Sequence, residues 1–192
     1  MADQLTLEKC KTAVLIMDFQ NRMLNELSEA ARKDILKKAN DILSKARQIG
    51  IPVIYIEVRR GERTPEMEIH PGVAPKPGEM VLTKQRVGPF TTTNLNEVLK
   101  KLGVDTLVIF GIATQGCILT TVRCGADLDY KIVVVSDCCA NPPSEEVHRI
   151  LMEKVFPGQA SVVKVQEILG VLAKAKEQLL KNTPQLIGGY FF

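Results

Sequence analysis

Four short segments of the chain are almost entirely apolar and rich in β-branched residues. This pattern is typical of strands that are buried on both faces of a parallel sheet. The four segments are TAVLIMD (12–18), PVIYIEV (52–58), TLVIFG (106–111) and KIVVVSD (131–137). Two weaker segments are also extended in our prediction, ASVVKV (160–165) as an edge strand and MVLTK (80–84) as a short stretch that leads into a loop.

Amphipathic patterns with a helical period lie between these segments. The predicted helices cover residues 29–49, 93–102, 117–128, 144–155 and 167–180. Gly50 and Gly103 follow the first two, as glycine commonly does after the last turn of a helix. Because strands and helices alternate, we predict an α/β fold, a three-layer α/β/α sandwich with a Rossmann-like, mostly parallel sheet. We expect a single domain over residues 1–192.

Two segments depart from the alternating pattern. Residues 59–79 contain four prolines, three glycines and many charges. Loops of this length are usually functional or disordered, and we predict an active-site flap or an oligomer contact. Residues 182–192, NTPQLIGGYFF, end in three aromatic residues, which we expect to fold back onto the domain or to pack on a partner subunit.

Composition and charge exclude several classes of partner. The net charge of +3 over 192 residues is spread through mixed-sign segments such as residues 29–41, without the basic stripe that nucleic-acid binding needs. No apolar run approaches the ~20 residues of a membrane span. Residues 1–19 lack the features of a secretory signal. We therefore expect a cytoplasmic protein with a small-molecule substrate, and no nucleic acid or membrane as a partner.

The chain has five cysteines, an odd number without a CxxC pair, which fits neither a disulfide framework nor a zinc site. For Cys10, Cys124, Cys138 and Cys139 the default interpretation is a small buried apolar residue. Cys117 differs because it follows a glycine-containing turn, GIATQGC, between a predicted strand and a predicted helix.

Three reactive residues stand at the carboxyl ends of predicted strands, where open parallel sheets bind ligands. Asp18 closes the first strand, Lys84 closes the segment 80–84, and Cys117 opens the helix after the third strand. A helix N-terminus and a nearby ammonium both lower the pKa of a thiol, so we predict a thiolate near neutral pH. A thiolate attacks carbonyl carbon, a carboxylate can take and return the proton, and the backbone N–H groups of the turn could face an oxyanion.

The segments that carry these residues resemble those of a known superfamily. They are LIMDFQNRM (15–23), LTKQRVGPF (82–90), GIATQGCILTTVRCGADLDYKIVVVSD (111–137) and the following HRI helix. Together they are similar to the isochorismatase-like cysteine hydrolases, which include nicotinamidases, N-carbamoylsarcosine amidohydrolases, ureidoacrylate hydrolases and isochorismatases. The resemblance runs from about Thr12 to Val163, most of the chain, with three separated motifs in the family's order.

The resemblance implies a catalytic triad and an oxyanion hole. Asp18 matches the acid/base, Lys84 the triad lysine and Cys117 the nucleophile. A cis peptide bond is implied between Ile112 and Ala113, which turns the N–H of Ala113 toward the same oxyanion as the N–H of Cys117. The resemblance also implies a homo-oligomer.

Two departures from relatives narrow the prediction. Metal-binding nicotinamidases carry an Asp and two His after the second strand, whereas this chain offers only His70 there, so we predict no metal and no cofactor. Isochorismatases that cleave a vinyl ether often dispense with the cysteine. The presence of Cys117 therefore favours hydrolysis of a C–N bond in an amide, carbamoyl or ureido group.

Neighbours of the three reactive residues are candidate substrate contacts. They are Phe19, Gln20, Arg86, Phe90, Thr114 and Gln115. Arg86 could hold a substrate carboxylate through a bidentate pair, and Arg59, Arg60 or Arg63 in the long loop could do the same. We assign Asp137 to capping or structural hydrogen bonding and give His148 no catalytic role.

Three other functions remain open at this level. In the first, Asp18 protonates a vinyl ether and Cys117 is dispensable. In the second, the chain is a non-catalytic ligand-binding oligomer. In the third, Cys117 is a redox thiol resolved by Cys124 or by the pair Cys138 and Cys139. For Asp18, capping of the helix that follows it is also open.

Overall fold

The computed structural model describes residues 5–142 and 144–182, so most of the aromatic C-terminal segment, for which we predicted packing, lies outside the described residues. Six parallel strands form one sheet in the order β3-β2-β1-β4-β5-β6. They are β1 (Thr12–Met17), β2 (Val53–Val58), β3 (Met80–Lys84), β4 (Thr106–Gly111), β5 (Lys131–Val135) and β6 (Ser161–Val163). The sheet is flanked by helices and confirms the predicted α/β fold.

The extended segment predicted at residues 80–84 is a strand of the sheet. These residues pair with β2 over their whole length as the edge strand β3 and lead into the loop that follows. Since β3 is only half apolar and exposed over much of its length, its sequence lacks the pattern of a buried strand. The other edge strand, β6, lies where the sequence predicted it.

After every strand except β2, which leads into the loop 59–79, the chain forms one or more helices. They are α1 (Asn21–Leu24), α2 (Glu29–Ile49), α3 (Leu95–Lys101), α4 (Leu119–Asp127), α5 (Glu145–Ile150) and α6 (Val165–Asn182). The longest, α2, has the bounds that the sequence predicted, because Ser28 caps its first turn and Gly50 adopts a left-handed conformation after its last. A π-helical turn at Thr114–Ile118 precedes α4, and another at Leu151–Val155 follows α5.

The core lies on both sides of the central strands. Every residue of β1 and β4 is buried, and α2 packs against α6 on the flank of the sheet. The chain builds β1, β2 and β3 outward in one direction and then returns to place β4 beside β1. This reversal of strand order opens a crevice at the carboxyl ends of β1 and β4. Asp18 and the turn that carries Cys117 follow those two ends.

Other residues singled out from sequence have structural roles. Cys138 and Cys139 are buried as predicted, but Cys10 is exposed and Cys124 only half-buried, so the buried interpretation was wrong for both. Asp137 accepts a hydrogen bond from the N–H of Val165 at the start of α6, which confirms its structural assignment. None of the helices that the structure describes is long and apolar enough to cross a membrane.

Candidate active site

Asp18 and Lys84 form a buried ion pair at the carboxyl end of the sheet. Lys84 Nζ lies 2.8 Å from Asp18 Oδ2. Lys84 ends the edge strand β3, opposite Val58 of β2, and its long side chain spans the end of β2 to reach β1. The backbone of Asp18 is left-handed, with φ of 56°, an uncommon conformation that Asp tolerates better than most residues. Its N–H donates to the carbonyl oxygen of Ile56, which fixes this turn against β2.

Cys117 lies on the π-helical turn that follows β4. The peptide bond between Ile112 and Ala113 is cis, and Ala113 directly precedes the turn. The Cys117 side chain is buried, and its Sγ lies 3.6 Å from the carbonyl oxygen of Ala113. Asp18, Lys84 and Cys117 all line one cleft of about 310 Å³, together with Ala113. The structure therefore brings together the three reactive residues that the sequence placed at strand ends.

Burial dominates the electrostatics of this group. Burial raises the pKa of the Asp18 carboxyl, and the charge of Lys84 opposes that shift. Burial also raises the pKa of the Cys117 thiol well above 9.0, its ordinary value, and the charge of Asp18 raises it further. Lys84 lowers it, but Lys84 is already paired with Asp18. Burial and Asp18 thus oppose the thiolate that we predicted from the helix N-terminus.

One oxygen of Asp18 is left without a partner. Asp18 Oδ1 is the one buried side-chain nitrogen or oxygen atom in the described residues that has no hydrogen bond. Oδ2 is engaged by Lys84, and an interaction with the Cys117 thiol lowers the Asp18 pKa. A buried carboxylate oxygen without a partner is energetically costly, which favours a role for it in proton transfer.

Two of the six candidate substrate contacts line the cleft. Arg86 stands on its wall, and Gln20 is also part of the lining. Phe19 does not line it, since it is buried and packs edge-on against Phe110 with ring centroids 5.8 Å apart. Phe90 stacks on Tyr130 at 5.9 Å instead of facing the cleft. Both rings are therefore engaged in aromatic packing and do not line this cleft.

Thr114 and Gln115 do not line the cleft. Their hydrogen bonds hold the turn that carries Cys117 to the residues after β5. The N–H of Thr114 donates to the carbonyl oxygen of Ala140 at 2.9 Å, and Thr114 Oγ1 lies 2.8 Å from Nδ1 of His148. The N–H of Gln115 donates to Asn141 Oδ1 at 3.1 Å. Their contacts are structural, and so is that of His148.

Gln20 is occupied by the backbone around the cleft. Its Nε2 donates to the carbonyl oxygens of Val58, at 3.0 Å, and of Met67, and its Oε1 accepts from the N–H of Val58 at 2.9 Å. Both amide hydrogens are therefore used, so Gln20 holds the end of β2 to the long loop and has no donor left for a substrate.

Residues 59–79 form part of the cleft wall. The loop contains two short 3₁₀ turns, Pro65–Met67 and Pro71–Val73. It is tied to the residues after Asp18, since the N–H of Asn21 donates to Glu68 and the N–H of His70 donates to Phe19. Glu66 and Met67 thereby reach the cleft. The loop borders the site, as the flap interpretation expected.

Sequence reasoning did not nominate three cleft residues on the segments next to Asp18 and Lys84. Arg22 and Met23 stand on α1, and Val87 follows Arg86. All three lie within the motifs that carried the resemblance, so proximity in sequence was an available signal.

The described residues contain no cluster of three or more His, Cys, Asp or Glu that could hold a metal ion, and His70 accepts from the N–H of Gly72.

The chain is similar to known proteins over most of its length. It matches the model of the isochorismatase domain over residues 12–167. It is 30% identical over 175 residues to the isochorismatase family protein YddQ of Bacillus subtilis, covering 81% of this chain and 97% of YddQ. It is 34% identical over 106 residues to the ureidoacrylate amidohydrolase RutB of Methylobacterium radiotolerans, covering 54% of this chain and 41% of RutB.

A solved structure supports the fold. A cysteine hydrolase from Pseudomonas syringae pv. phaseolicola superposes with a TM-score of 0.80 at 23% identity, covering 91% of this chain and 100% of that chain. At this identity the likeness concerns the fold alone. The family model, however, spans most of the chain and confirms the resemblance that the sequence motifs indicated. This protein belongs to the isochorismatase family of hydrolases.

Proposed function

We propose that this protein is a metal-independent cysteine hydrolase that cleaves a C–N bond in an amide, carbamoyl or ureido group of a small molecule. The observation that carries the proposal is the buried pair of Asp18 and Lys84 beside the buried Cys117 in one cleft. The partial match to an amidohydrolase that acts on ureidoacrylate supports this reaction type.

The first half of the proposed reaction forms a thioester. Because burial disfavours the Cys117 thiolate, attack on the carbonyl carbon is coupled to transfer of the thiol proton to Asp18. The raised pKa of Asp18 makes it a stronger base than an ordinary carboxylate, and Oδ1 is free to accept. The N–H groups of Ala113 and Cys117 would donate to the oxyanion. Asp18 then returns the proton to the departing nitrogen as the C–N bond breaks.

The second half regenerates the thiol. Water attacks the thioester, Asp18 takes a proton from that water, and the carboxylic acid product leaves while Cys117 recovers its proton. Lys84 orients Asp18 through the 2.8 Å contact in both halves of the reaction. The net reaction consumes one water and releases one amine or ammonia with one carboxylic acid.

One observation also favours ether hydrolysis as a second candidate. A raised pKa allows Asp18 to be protonated at a pH where ordinary carboxyls are ionised. A protonated Asp18 could protonate the substrate directly, in which case Cys117 would be dispensable. The two candidates share the cleft and differ in the residue on which turnover depends.

Replacement of Cys117 separates these candidates. The assay is ammonia or amine release from a panel of small amides, carbamoyl compounds and ureides, compared with release of product from vinyl ethers. We expect turnover of C–N substrates by the wild-type protein, loss of at least about a thousandfold in Cys117→Ala, and a mass increase on Cys117 when the reaction is quenched early. Ether cleavage that survives in Cys117→Ala would overturn the thioester mechanism.

We also propose a homo-oligomer in the cytoplasm. Met80 and Val81 are exposed apolar residues on the edge strand β3, a surface that a partner subunit could cover. All five cysteines are free, which is typical of a reducing compartment. Light scattering coupled to size-exclusion chromatography tests the assembly, and Val81→Lys is expected to reduce the mass to that of one chain.

A further inference from the structure

Two arginine side chains converge on one backbone oxygen at the cleft. Arg60 Nε donates to the carbonyl oxygen of Gln85 at 3.1 Å, and Arg86 Nη1 lies 3.4 Å from the same oxygen. Arg60 follows the end of β2 and Arg86 follows the end of β3, and these strands are hydrogen-bonded neighbours. The sheet itself therefore brings the two guanidinium groups together, and both line the cleft.

Within the described part of the chain, neither of these guanidinium groups has an ion-pair partner, although the other two arginines of the same loop do. Arg59 pairs with Glu57, and Arg63 pairs with both carboxylate oxygens of Glu68. Two cations beside one carbonyl oxygen repel each other, so an anion between them would be stabilised by both. The structure thus distinguishes Arg60 from Arg59 and Arg63, the other two loop arginines that the sequence left as equal alternatives.

The charge balance of the cleft also favours an anion. Asp18 and Lys84 neutralise each other. Arg22 adds a third guanidinium group to the lining, and Glu66 is the one other carboxylate residue there. The cleft therefore carries an excess of positive charge, which attracts an anionic substrate and opposes a cationic one.

Apart from Gln20, the remaining side chains of the lining outside the reactive group are apolar. Val58, Met67 and Val87 contribute to its walls, and its volume of about 310 Å³ is at the low end of small-molecule sites. Such a cleft fits a compact substrate with one anionic end, a short apolar body and one reacting carbonyl group.

We infer that the substrate carries a carboxylate that binds between Arg60 and Arg86, while Cys117 attacks a carbonyl at its other end. The inference rests on the proposed function and assigns its substrate class, small amides or ureides that bear a carboxylate. A guanidinium group matches the two oxygens of a carboxylate, and two such groups give both affinity and orientation. Arg60 and Arg86 are specificity residues in this arrangement and take no part in bond breaking.

Alkylation of Cys117 tests the inference without a known substrate. Iodoacetate and iodoacetamide both form a thioether and release iodide, and they differ in charge. 3-Bromopropionate and 3-bromopropanamide repeat the comparison with a longer reagent. The ratio of acid to amide rates at Cys117, divided by the same ratio for free N-acetylcysteinamide, measures the preference for an anion. Peptide mass spectrometry gives the rate at Cys117 separately from the other cysteines.

We expect an anion preference of about tenfold or more at low salt, because one exposed ion pair accounts for up to about fivefold and two arginines act together. The preference should fall as salt is added. Arg60→Gln and Arg86→Gln should each lower this preference about two- to fivefold. Arg63→Gln is the matched control from the same loop and should change neither rate.

The outcomes distinguish the inference from the proposed function. If Cys117 reacts with both reagents at the ratio of the free thiol, and the arginine variants change nothing, the carboxylate site is overturned while the nucleophile stands. If neither reagent modifies Cys117 at any pH, the proposed function is overturned and the inference with it. Turnover provides a second readout: succinamate should exceed 4-hydroxybutanamide in kcat/KM, and Arg86→Gln should remove most of that difference.

Discussion

Lys84 reaches past the end of β2 to place its ammonium 2.8 Å from the carboxylate of Asp18, and only 2% and 5% of the two side chains are exposed. Each charge is therefore compensated mainly by the other. Removing one member of such a pair leaves a buried charge without compensation, whereas removing both does not.

The first prediction concerns the stability of this pair. We expect Lys84→Met to lower the free energy of unfolding by about 3–5 kcal/mol, because the Asp18 carboxylate would stay buried and unpaired. The double variant Lys84→Met, Asp18→Asn should recover part of the loss. Urea denaturation at pH 7 measures both.

A surface ion pair provides the control for that experiment. Lys37 and Asp41 are 2.9 Å apart, but 75% of the Lys37 side chain is exposed. Lys37→Met should change the free energy of unfolding by less than about 0.5 kcal/mol. Equal losses in Lys84→Met and Lys37→Met would contradict the view that the buried pair depends on mutual compensation.

The second prediction concerns the pH dependence of Cys117. Since burial and Asp18 raise the thiol pKa, alkylation by iodoacetamide should have a midpoint above pH 9.0 in the free protein. Asp18→Asn should lower that midpoint, because it removes the negative charge that disfavours the thiolate. Lys84→Met should raise it, because Lys84 is the group that lowers the thiol pKa. A midpoint below 9.0 would instead restore the thiolate that the helix N-terminus led us to predict.

The third prediction concerns Gln20, which we regard as a positioning residue for the cleft wall. Gln20→Ala should destabilise the protein by about 1–3 kcal/mol, because the half-buried backbone groups of Val58 lose their partner. Proteolysis within residues 59–79 should accelerate, and KM should rise more than kcat falls, since the reacting groups stay in place.

Gln115 supplies the matched control for Gln20. Its side chain is exposed, and its described hydrogen bond uses the backbone N–H. Gln115→Ala should therefore leave the free energy of unfolding within about 0.5 kcal/mol of the wild type. The rate of proteolysis within residues 59–79 should not change. If Gln20→Ala behaves in the same way, the hydrogen bonds of Gln20 do not fix the loop.

The fourth prediction concerns the close approach of β1 and β4. A Cβ atom at Gly111 would lie 2.4 Å from the carbonyl oxygen of Met17, the residue before Asp18. Gly111→Ala should therefore cost at least about 1–3 kcal/mol and should lower turnover, because it separates Asp18 from the turn that carries Cys117. Thermal unfolding and the hydrolase assay check the two effects.

Gly170 is the contrasting position, because a Cβ atom there would meet no heavy atom within 4 Å. It lies within α6, where alanine is the better helix former. Gly170→Ala should raise the free energy of unfolding by about 0.5–1 kcal/mol. If Gly170→Ala is also destabilised, alanine lowers stability even where its Cβ meets no other atom. The loss at Gly111 could then not be assigned to the contact with Met17.

The hydrophobic pattern by itself determined the alternation of strands and helices, because strands buried on both faces must be apolar at every position. It located β1, β4 and α2 to within a residue, and it placed Asp18 and Cys117 where two strands end. The edge strand β3 gave a weaker signal and was predicted only as a short extended segment, since an exposed strand needs no apolar pattern. The motifs also indicated the family, because each motif is a contiguous segment that can be recognised in the sequence without the structure.

Only the tertiary structure decided what each side chain near the site does. Phe19 and Phe90 were nominated as neighbours of reactive residues, but their direction depends on the core that receives them. A thiolate at Cys117 was predicted from a helix end, whereas burial, which is set by the whole fold, raises the pKa of that thiol. Distances in space also decide which arginines form ion pairs. Arg59 and Arg63 each pair with a glutamate, whereas Arg60 and Arg86 have no ion-pair partner in the described residues. Sequence fixes which groups are available, and packing decides which of them remain free to meet a substrate.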